Sequence, residues 1–376
     1  MGTESRQRTG WGVAVMDIAL SILGFIAVLA VLILVHEGGH FMAAKAAGIR
    51  VLEFGLGFPP RLWGVHRGDT LYSINAIPLG GFVKMAGEED PTEPRSLASK
   101  SAGVRFLVMA AGAFMNALTA LVLFSALFVV PQDVLVGKVT IAEVAADSPA
   151  QKAGVLPGDT IVSVNGHAVL NVGDLRYRVN LDLGQQSTWL IQRGEQSLTV
   201  NLVPRLNPPA DQGATGIVLA TSEYHVERQS EALWKAPFLG LQRMGEVLIL
   251  TRNEFAKWIA GGTAPQVTGP VGMAQAFGEV AQEQSVAVGD RIMAIVSLAA
   301  IISMSLAIFN ILPIPALDGG RILFVVIEMV RRGKRIPPEK EGMVHFIGFV
   351  VLIALALVIT FADLSRILHG GSVLGG

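Results

Sequence analysis

The chain has no cysteine, which excludes disulfides, thiolate metal sites and a cysteine nucleophile. Any metal must therefore be held by His, Asp or Glu. Charge is scarce as well. Only 16% of residues are charged and 51% are apolar, whereas a soluble domain carries about 25% charge. The net charge of −1 lacks the basic surface that nucleic acid selects, so no nucleic-acid partner is expected. A mean hydropathy of +0.53 points to a membrane.

What the chain has in place of charge is four apolar stretches, at residues 18–35, 106–130, 292–314 and 346–362. A spanning helix needs roughly 20 apolar residues, and the fourth stretch sits at the lower limit. The first is too long for a signal h-region and runs into a polar motif, so it reads as a retained helix. The loop after the first span carries Lys45, Arg50, Arg61, Arg67, Lys84, Arg95, Lys100 and Arg105. The loop after the third carries Arg321, Arg331, Arg332, Lys334, Arg335 and Lys340. This bias places both loops in the cytoplasm and the segment between spans two and three outside it. Arg6 and Arg8 mildly oppose that orientation.

The organisation expected is a flexible tail at 1–15, then a first membrane half at 16–133 with two spans and a cytoplasmic hairpin loop. A small extracytoplasmic domain follows at 134–220, a linker with an amphipathic helix at 221–288, and a second membrane half at 289–376. Within the first half, Leu71, Tyr72, Ser73, Ile74, Asn75 and Ala76 alternate as a strand does. Such a segment enters a bilayer only if protein or a water-filled cavity satisfies its backbone. Residues 236–259 have apolar positions at helical spacing with charges interspersed, which fits an interfacial helix or an ordinary surface helix.

Two motifs carry chemistry. His36-Glu37-Gly38-Gly39-His40 closes the first apolar stretch. Residues four apart share a helix face, so both imidazoles can bind one metal ion, with Glu37 placed to take a proton from water. Zinc suits imidazole ligands and keeps one position open for water in catalytic sites. Histidines and a glutamate at membrane depth are costly unless paired or coordinated. The two glycines each disfavour a helix interior by roughly 1 kcal/mol relative to alanine. A segment that breaks local rules in this way marks a site. The second motif, Asn310-Ile311-Leu312-Pro313-Ile314-Pro315-Ala316-Leu317-Asp318-Gly319-Gly320, ends the third span. Its prolines unwind the helix. Asp318 is then either the third metal ligand or the N-cap of a helix starting at Gly319.

Together the motifs make the chain resemble the bacterial site-2 proteases with one PDZ domain, the RseP-type group. That family pairs His-Glu-x-x-His with Asn-x-x-Pro-x-Pro-x-Leu-Asp-Gly, and both occur here in order. The resemblance extends to Ile77–Lys84, Ala111–Asn116 and Thr268–Gly272, and covers nearly all of the chain after residue 16. Gly38 stands where the family often has a bulkier residue, and Ala113 replaces a common proline.

The resemblance implies one Zn2+ held by His36, His40 and Asp318, with Glu37 as general base and Asn310 steadying substrate or oxyanion. It implies a polytopic α-helical membrane protein of four spans with a membrane-associated β-hairpin region and an inserted α/β PDZ domain. Ser148-Pro149-Ala150, Leu156-Pro157-Gly158-Asp159 and Asn165-Gly166 resemble the PDZ core in permuted order. Such a domain either binds a peptide by strand addition or only filters large ectodomains by size. The implied substrate is a single-span membrane protein in the bacterial cytoplasmic membrane, such as an anti-sigma factor. It is cut in or near its span, on the cytoplasmic side, and is held in extended form by edge pairing at Leu71–Ala76. The rivals are a catalytically silent PDZ scaffold and a zinc transporter. The remaining residues His66, His167, His225, His345 and His369 are expected in structural or solvent-facing roles, and Glu328 on a solvated face.

Overall fold

The computed structural model describes residues 4–373 apart from 89, 91, 210, 263–267 and 284–285. In chain order the elements are α1 (Glu4–Ala46), β1 (Val51–Arg67), β2 (Thr70–Met85), α2 (Ala102–Val129), β3 (Gln132–Val144) and α3 (Pro149–Lys152). Next come β4 (Thr160–Val164), β5 (His167–Ala168), α4 (Val172–Leu181), β6 (Ser187–Arg193), β7 (Gln196–Leu202) and β8 (Ile217–Gln229). The chain ends with α5 (Ala236–Ile259), α6 (Pro270–Gln282), α7 (Val288–Ile311), α8 (Asp318–Val330) and α9 (Pro338–Leu368). Two compact units result: Met1–Leu127 with Val267–Gly376, and Phe128–Gln266.

Among the described residues, four helices are long and apolar enough to cross a membrane: Leu20–Ala46 of α1, then α2, α7 and α9. Each contains one of the long apolar runs, though the helix ends do not coincide with the ends of the runs. α7 ends at Ile311, three residues short of the apolar stretch, because Pro313 and Pro315 follow. α2 buries Val108, Gly112, Asn116, Ala120 and Phe124, a file at four-residue spacing, and so offers one face to protein. α7 meets that face with small residues, and its Ser303 hydroxyl donates to the Asn116 carbonyl at 2.8 Å.

α1 is longer than its apolar stretch. Its backbone is helical from Glu4, where a flexible tail at 1–15 was expected. No proline lies between Glu4 and Ala46, and extending an existing helix gains one hydrogen bond per residue ordered. α6 was not separated from the linker by sequence reading. It packs on α1, where Gln282 donates to the Ser21 hydroxyl at 2.8 Å. Buried Asp363 of α9 accepts the N–H groups of Gly269 and Gly272 at 3.0 and 2.8 Å. A carboxylate at a helix N-terminus is favourable, which gives Thr268–Gly272 a structural reason.

β1 and β2 form one sheet, and each strand bends. Residues 53–56 of β1 pair with 71–74 on one side and with 81–84 on the other. Residues 71–75 pair in turn with 61–66. The arms therefore lie in the order 61–67, 70–75, 53–56, 81–85. The outer part of this sheet exposes Phe58, Leu62, Trp63, Val65, Ile74 and Ile77.

The second unit is a six-stranded sheet in the order β7-β6-β4-β3-β8, with β5 on β4. Its core gathers Val139, Ile141, Ile161, Val164, Leu175, Trp189 and Ile191. The inserted domain is larger than the expected 134–220. β8 runs to Gln229 because it pairs with β3 along nearly its whole length, from Val144↔Ile217 to Gln132↔Gln229. α5 is part of the same unit. Tyr177 of α4 donates to Glu246 at 2.6 Å, and Asn253 donates to the carbonyls of Asn180 and Leu181. Burial and the Glu246 bond push the Tyr177 hydroxyl up to about 12, so it remains a donor at neutral pH. The other side of α5 exposes Phe238, Leu241, Phe255, Trp258 and Ile259.

Candidate active site

α1 ends with the first motif, and α2 is pressed against it. Gly39 leaves no gap there: a Cβ at that position falls 2.4 Å from the Ala111 carbonyl oxygen. Gly112 of α2 faces the imidazoles, and its Cβ would meet His40 Nε2 at 2.3 Å and His36 at 2.7 Å. Small residues let helices approach this closely in lipid. Both rings are buried, at 8% exposure for His36 and 6% for His40.

Partners on α2 set the tautomers. His40 Nδ1 donates to the Val108 carbonyl at 2.8 Å, which leaves the Nε2 lone pair facing inward. Asn116, fully buried, brings its side-chain amide 3.1 Å from His36 Nδ1. Its Oδ1 has no hydrogen-bond partner among the described residues. With the amide turned so that this oxygen accepts from a proton on His36 Nδ1, the His36 Nε2 lone pair is free.

The third group comes from far along the chain. Asp318 is the first residue of α8, whose N-cap is Leu317 with no side-chain capping bond. The capping alternative is therefore not realised. The Asp318 carboxylate turns to the histidines, with Oδ2 3.1 Å from both His36 Nε2 and His40 Nε2. The two Nε2 atoms are 3.2 Å apart. Among the described residues, this is the one His/Asp/Glu cluster whose ligand atoms converge within 4.8 Å.

With both Nδ1 atoms protonated, the two Nε2 lone pairs and the Asp318 carboxylate face one another, an arrangement that suits a cation. Tetrahedral zinc with bonds of about 2.0–2.1 Å sets its ligands about 3.3–3.4 Å apart, close to the spacings here. The residues fit a zinc ion.

Glu37 lies beside the cluster and faces a cavity of about 390 Å³, also lined by His40, Gly81–Met85, Met109 and Ala316–Asp318. The Cβ position at Gly81 is 3.1 Å from Glu37 Cγ. Arg321, one turn beyond Asp318, donates to Glu88 at 2.8 Å, and both residues line the same cavity.

Residues 24–355 match the sequence pattern of Peptidase family M50. The chain belongs to that family. It is 37% identical over 358 residues to a Clostridium perfringens protein with a provisional zinc metalloprotease name, covering 93% of this chain and 98% of the relative. It is 35% identical over 368 residues to a similarly named protein of Nostoc sp., covering 93% and 97%. It is also 27% identical over 443 residues to the zinc metalloprotease RasP of Oceanobacillus iheyensis, covering 92% and 99%. The chain is thus a multi-pass intramembrane zinc metalloprotease of the site-2 protease family, with Zn2+ as cofactor.

The structure places two of the other expected site segments away from the cluster. Leu71–Ala76 is an inner arm, with both backbone edges of Leu71–Ile74 already paired. Leu71–Ile74 has no edge to offer a substrate, because the bends in β1 and β2 place an arm on each side of it, while Asn75 pairs only with Arg61. The arm beside Glu37 is 81–84, which has β1 on one side and no further strand among the described residues. Asn310 is not brought into the cluster either. Its Nδ2 donates to the Leu306 carbonyl of its own helix at 3.0 Å.

Three further residues carried no assigned role in the sequence. Asn116 and Gly112 lie within Ala111–Asn116, but only the α1–α2 contact gives them one. Glu328 was expected on a solvated face and is buried between Arg105 and Arg335.

Proposed function

We propose that the protease hydrolyses a peptide bond in or near the transmembrane segment of a single-span membrane protein, as in the regulated intramembrane proteolysis of an anti-sigma factor. The observation that carries this is the convergence of His36, His40 and Asp318, the last two at the wall of a cavity that Glu37 also faces. The proposed zinc ligands are these three residues, one ion per chain. When bound there, zinc supplies Lewis acidity and brings the pKa of water down to about 7.

The chain's own groups do the rest. Val108 and Asn116 hold the two imidazoles in register. Glu37 accepts the proton that water loses as its oxygen joins the carbonyl carbon, then delivers it to the departing amine nitrogen. Asn310 is proposed to leave its Leu306 contact and donate to the developing oxyanion.

The substrate must be extended to expose its peptide bond, and the free edge of 81–84 offers backbone pairing to an extended chain. This replaces the edge pairing expected at Leu71–Ala76. The exposed apolar surface around Trp63 suits a sheet that dips into the lipid.

Lys and Arg in the loops support an orientation with the site toward the cytoplasm and the second unit outside, in a bacterial cytoplasmic membrane. We assign the second unit as the PDZ domain, a peptide binder or size filter. Its turns support this: Asn165 and Gly166 both have positive φ, as does Gly158. Trp258 and its exposed neighbours on α5 suit the interfacial helix considered from sequence.

The test is cleavage of a single-span substrate in liposomes by the native chain and by Glu37→Gln at matched zinc content. A cut within the span by the native chain alone is expected. Zinc-loaded native protein that leaves several helix-destabilised spans intact refutes the reading.

A further inference from the structure

The loop that delivers Asp318 is held partly by its own backbone, through Ile314 N–H to the Leu312 carbonyl and Leu317 N–H to the Ile314 carbonyl at 2.7 and 3.2 Å, and partly from outside. It connects α7 to α8 through Leu312–Leu317, and the φ of Ala316 is 76°, a region that residues with a Cβ rarely adopt. Ala316 also lines the catalytic cavity, two residues before the ligand.

α9 meets this loop at two points. His345 Nδ1 accepts the Ala316 N–H at 2.9 Å. Gly348 lies against Pro315, where a Cβ would stand 2.3 Å from the proline Cβ. Residues three apart share a helix face, so both contacts come from one face of α9. With Nδ1 accepting, the ring proton sits on Nε2, which faces Glu341 at 4.0 Å. Phe324 of α8 packs on the ring at 5.6 Å between centroids.

We propose that His345 is a positioning residue of the protease: through the Ala316 N–H it holds the loop in the turn that brings Asp318 to His36 and His40. The inference rests on the ligand triad proposed above and adds α9 to the machinery. Gly348 supplies contact, but a backbone donor two residues from a ligand needs an acceptor in a fixed place. Outer partners of this kind typically change metal affinity by about 10–100-fold.

The test uses the full chain with His345→Asn, which keeps an acceptor near the Nδ1 position, and His345→Leu, which does not. Zinc affinity is read by chelator competition, alongside kcat and KM on a single-span substrate. The expected result is at least about tenfold weaker zinc binding and lower kcat for His345→Leu, KM little changed, and His345→Asn close to the native protein. Adding Ala316→Gly to His345→Leu is expected to recover part of the affinity, since glycine takes positive φ without help.

Native zinc affinity in His345→Leu overturns the proposal, as does equal loss in His345→Asn. No recovery in the double variant overturns it where His345→Leu proves poorly folded. His36→Ala is the control. If it keeps its zinc, the ligand triad is what has failed.

Discussion

Gly112 contributes no side chain, yet the site depends on that lack. A methyl group there overlaps His40 Nε2 at 2.3 Å, and the overlapped atom is a ring held by the Val108 carbonyl rather than a flexible tip. Gly112→Ala is therefore expected to abolish zinc binding, as metal analysis of the purified protein will show. Gly38, inside the first motif, has nothing within 4 Å of its Cβ position. Gly38→Ala should keep zinc and gain about 0.5–1 kcal/mol in unfolding measurements from helix propensity alone. Asn116→Ala removes the partner of His36 Nδ1 and should weaken zinc binding by about 10–100-fold in a chelator titration. Glu37→Gln should leave that affinity near native and lower the cleavage rate by about 10²–10⁴.

At the scale of elements, the bent hairpin makes a prediction that its sequence does not. A photo-reactive side chain replacing Lys84 on the outer arm should crosslink to a bound single-span substrate, and one replacing Tyr72 should not. The reverse pattern would restore the inner arm as the docking strand. α8 is tied to α2 by Glu328, whose carboxylate meets Arg105, both about one-tenth exposed, with Arg335 adding a second contact at 3.3 Å. Removing one partner of a buried pair strands the other, at a cost of about 3–5 kcal/mol. Glu328→Leu should destabilise the membrane unit by an amount of that order in thermal unfolding, with Arg105 the stranded charge.

For the whole molecule, the two units should respond to different agents. Zinc stabilises whatever binds it in the folded state only, so chelation should lower the unfolding temperature of the membrane unit and leave the second unit unchanged. The second unit should answer to acid instead. Asp159 is buried beneath Arg193, which donates from Nε and Nη2 at 2.7 and 2.8 Å. Those bonds, joined by the Leu156 N–H, hold the Asp159 carboxyl below the usual carboxylate range against the opposing effect of burial. A lowered folded-state pKa gives stability that is present above the unfolded value of about 3.9 and fades as pH falls through the folded one. Amide exchange in β4 and β6 should accelerate below about pH 4, and Asp159→Asn should flatten that dependence.

The sequence by itself determined the apolar runs that become four spans, the helical spacing that sets His36 and His40 on one face, and the prolines that stop α7 and free Asp318. These are local properties: hydropathy over a window, a period of 3.6 residues, a missing N–H. The tertiary structure decided the rest. Which arm of the hairpin has a free edge depends on bends that place neighbours on both sides of 71–74. Whether Asp318 caps or ligates depends on where α8 starts relative to α1, 278 residues from His40. The tasks of Asn116, Gly112 and Glu328 follow from contacts between helices distant in sequence, and so does the place of His345 against Ala316. A side chain's partner across such a separation is fixed by packing, and no periodicity in the chain encodes it.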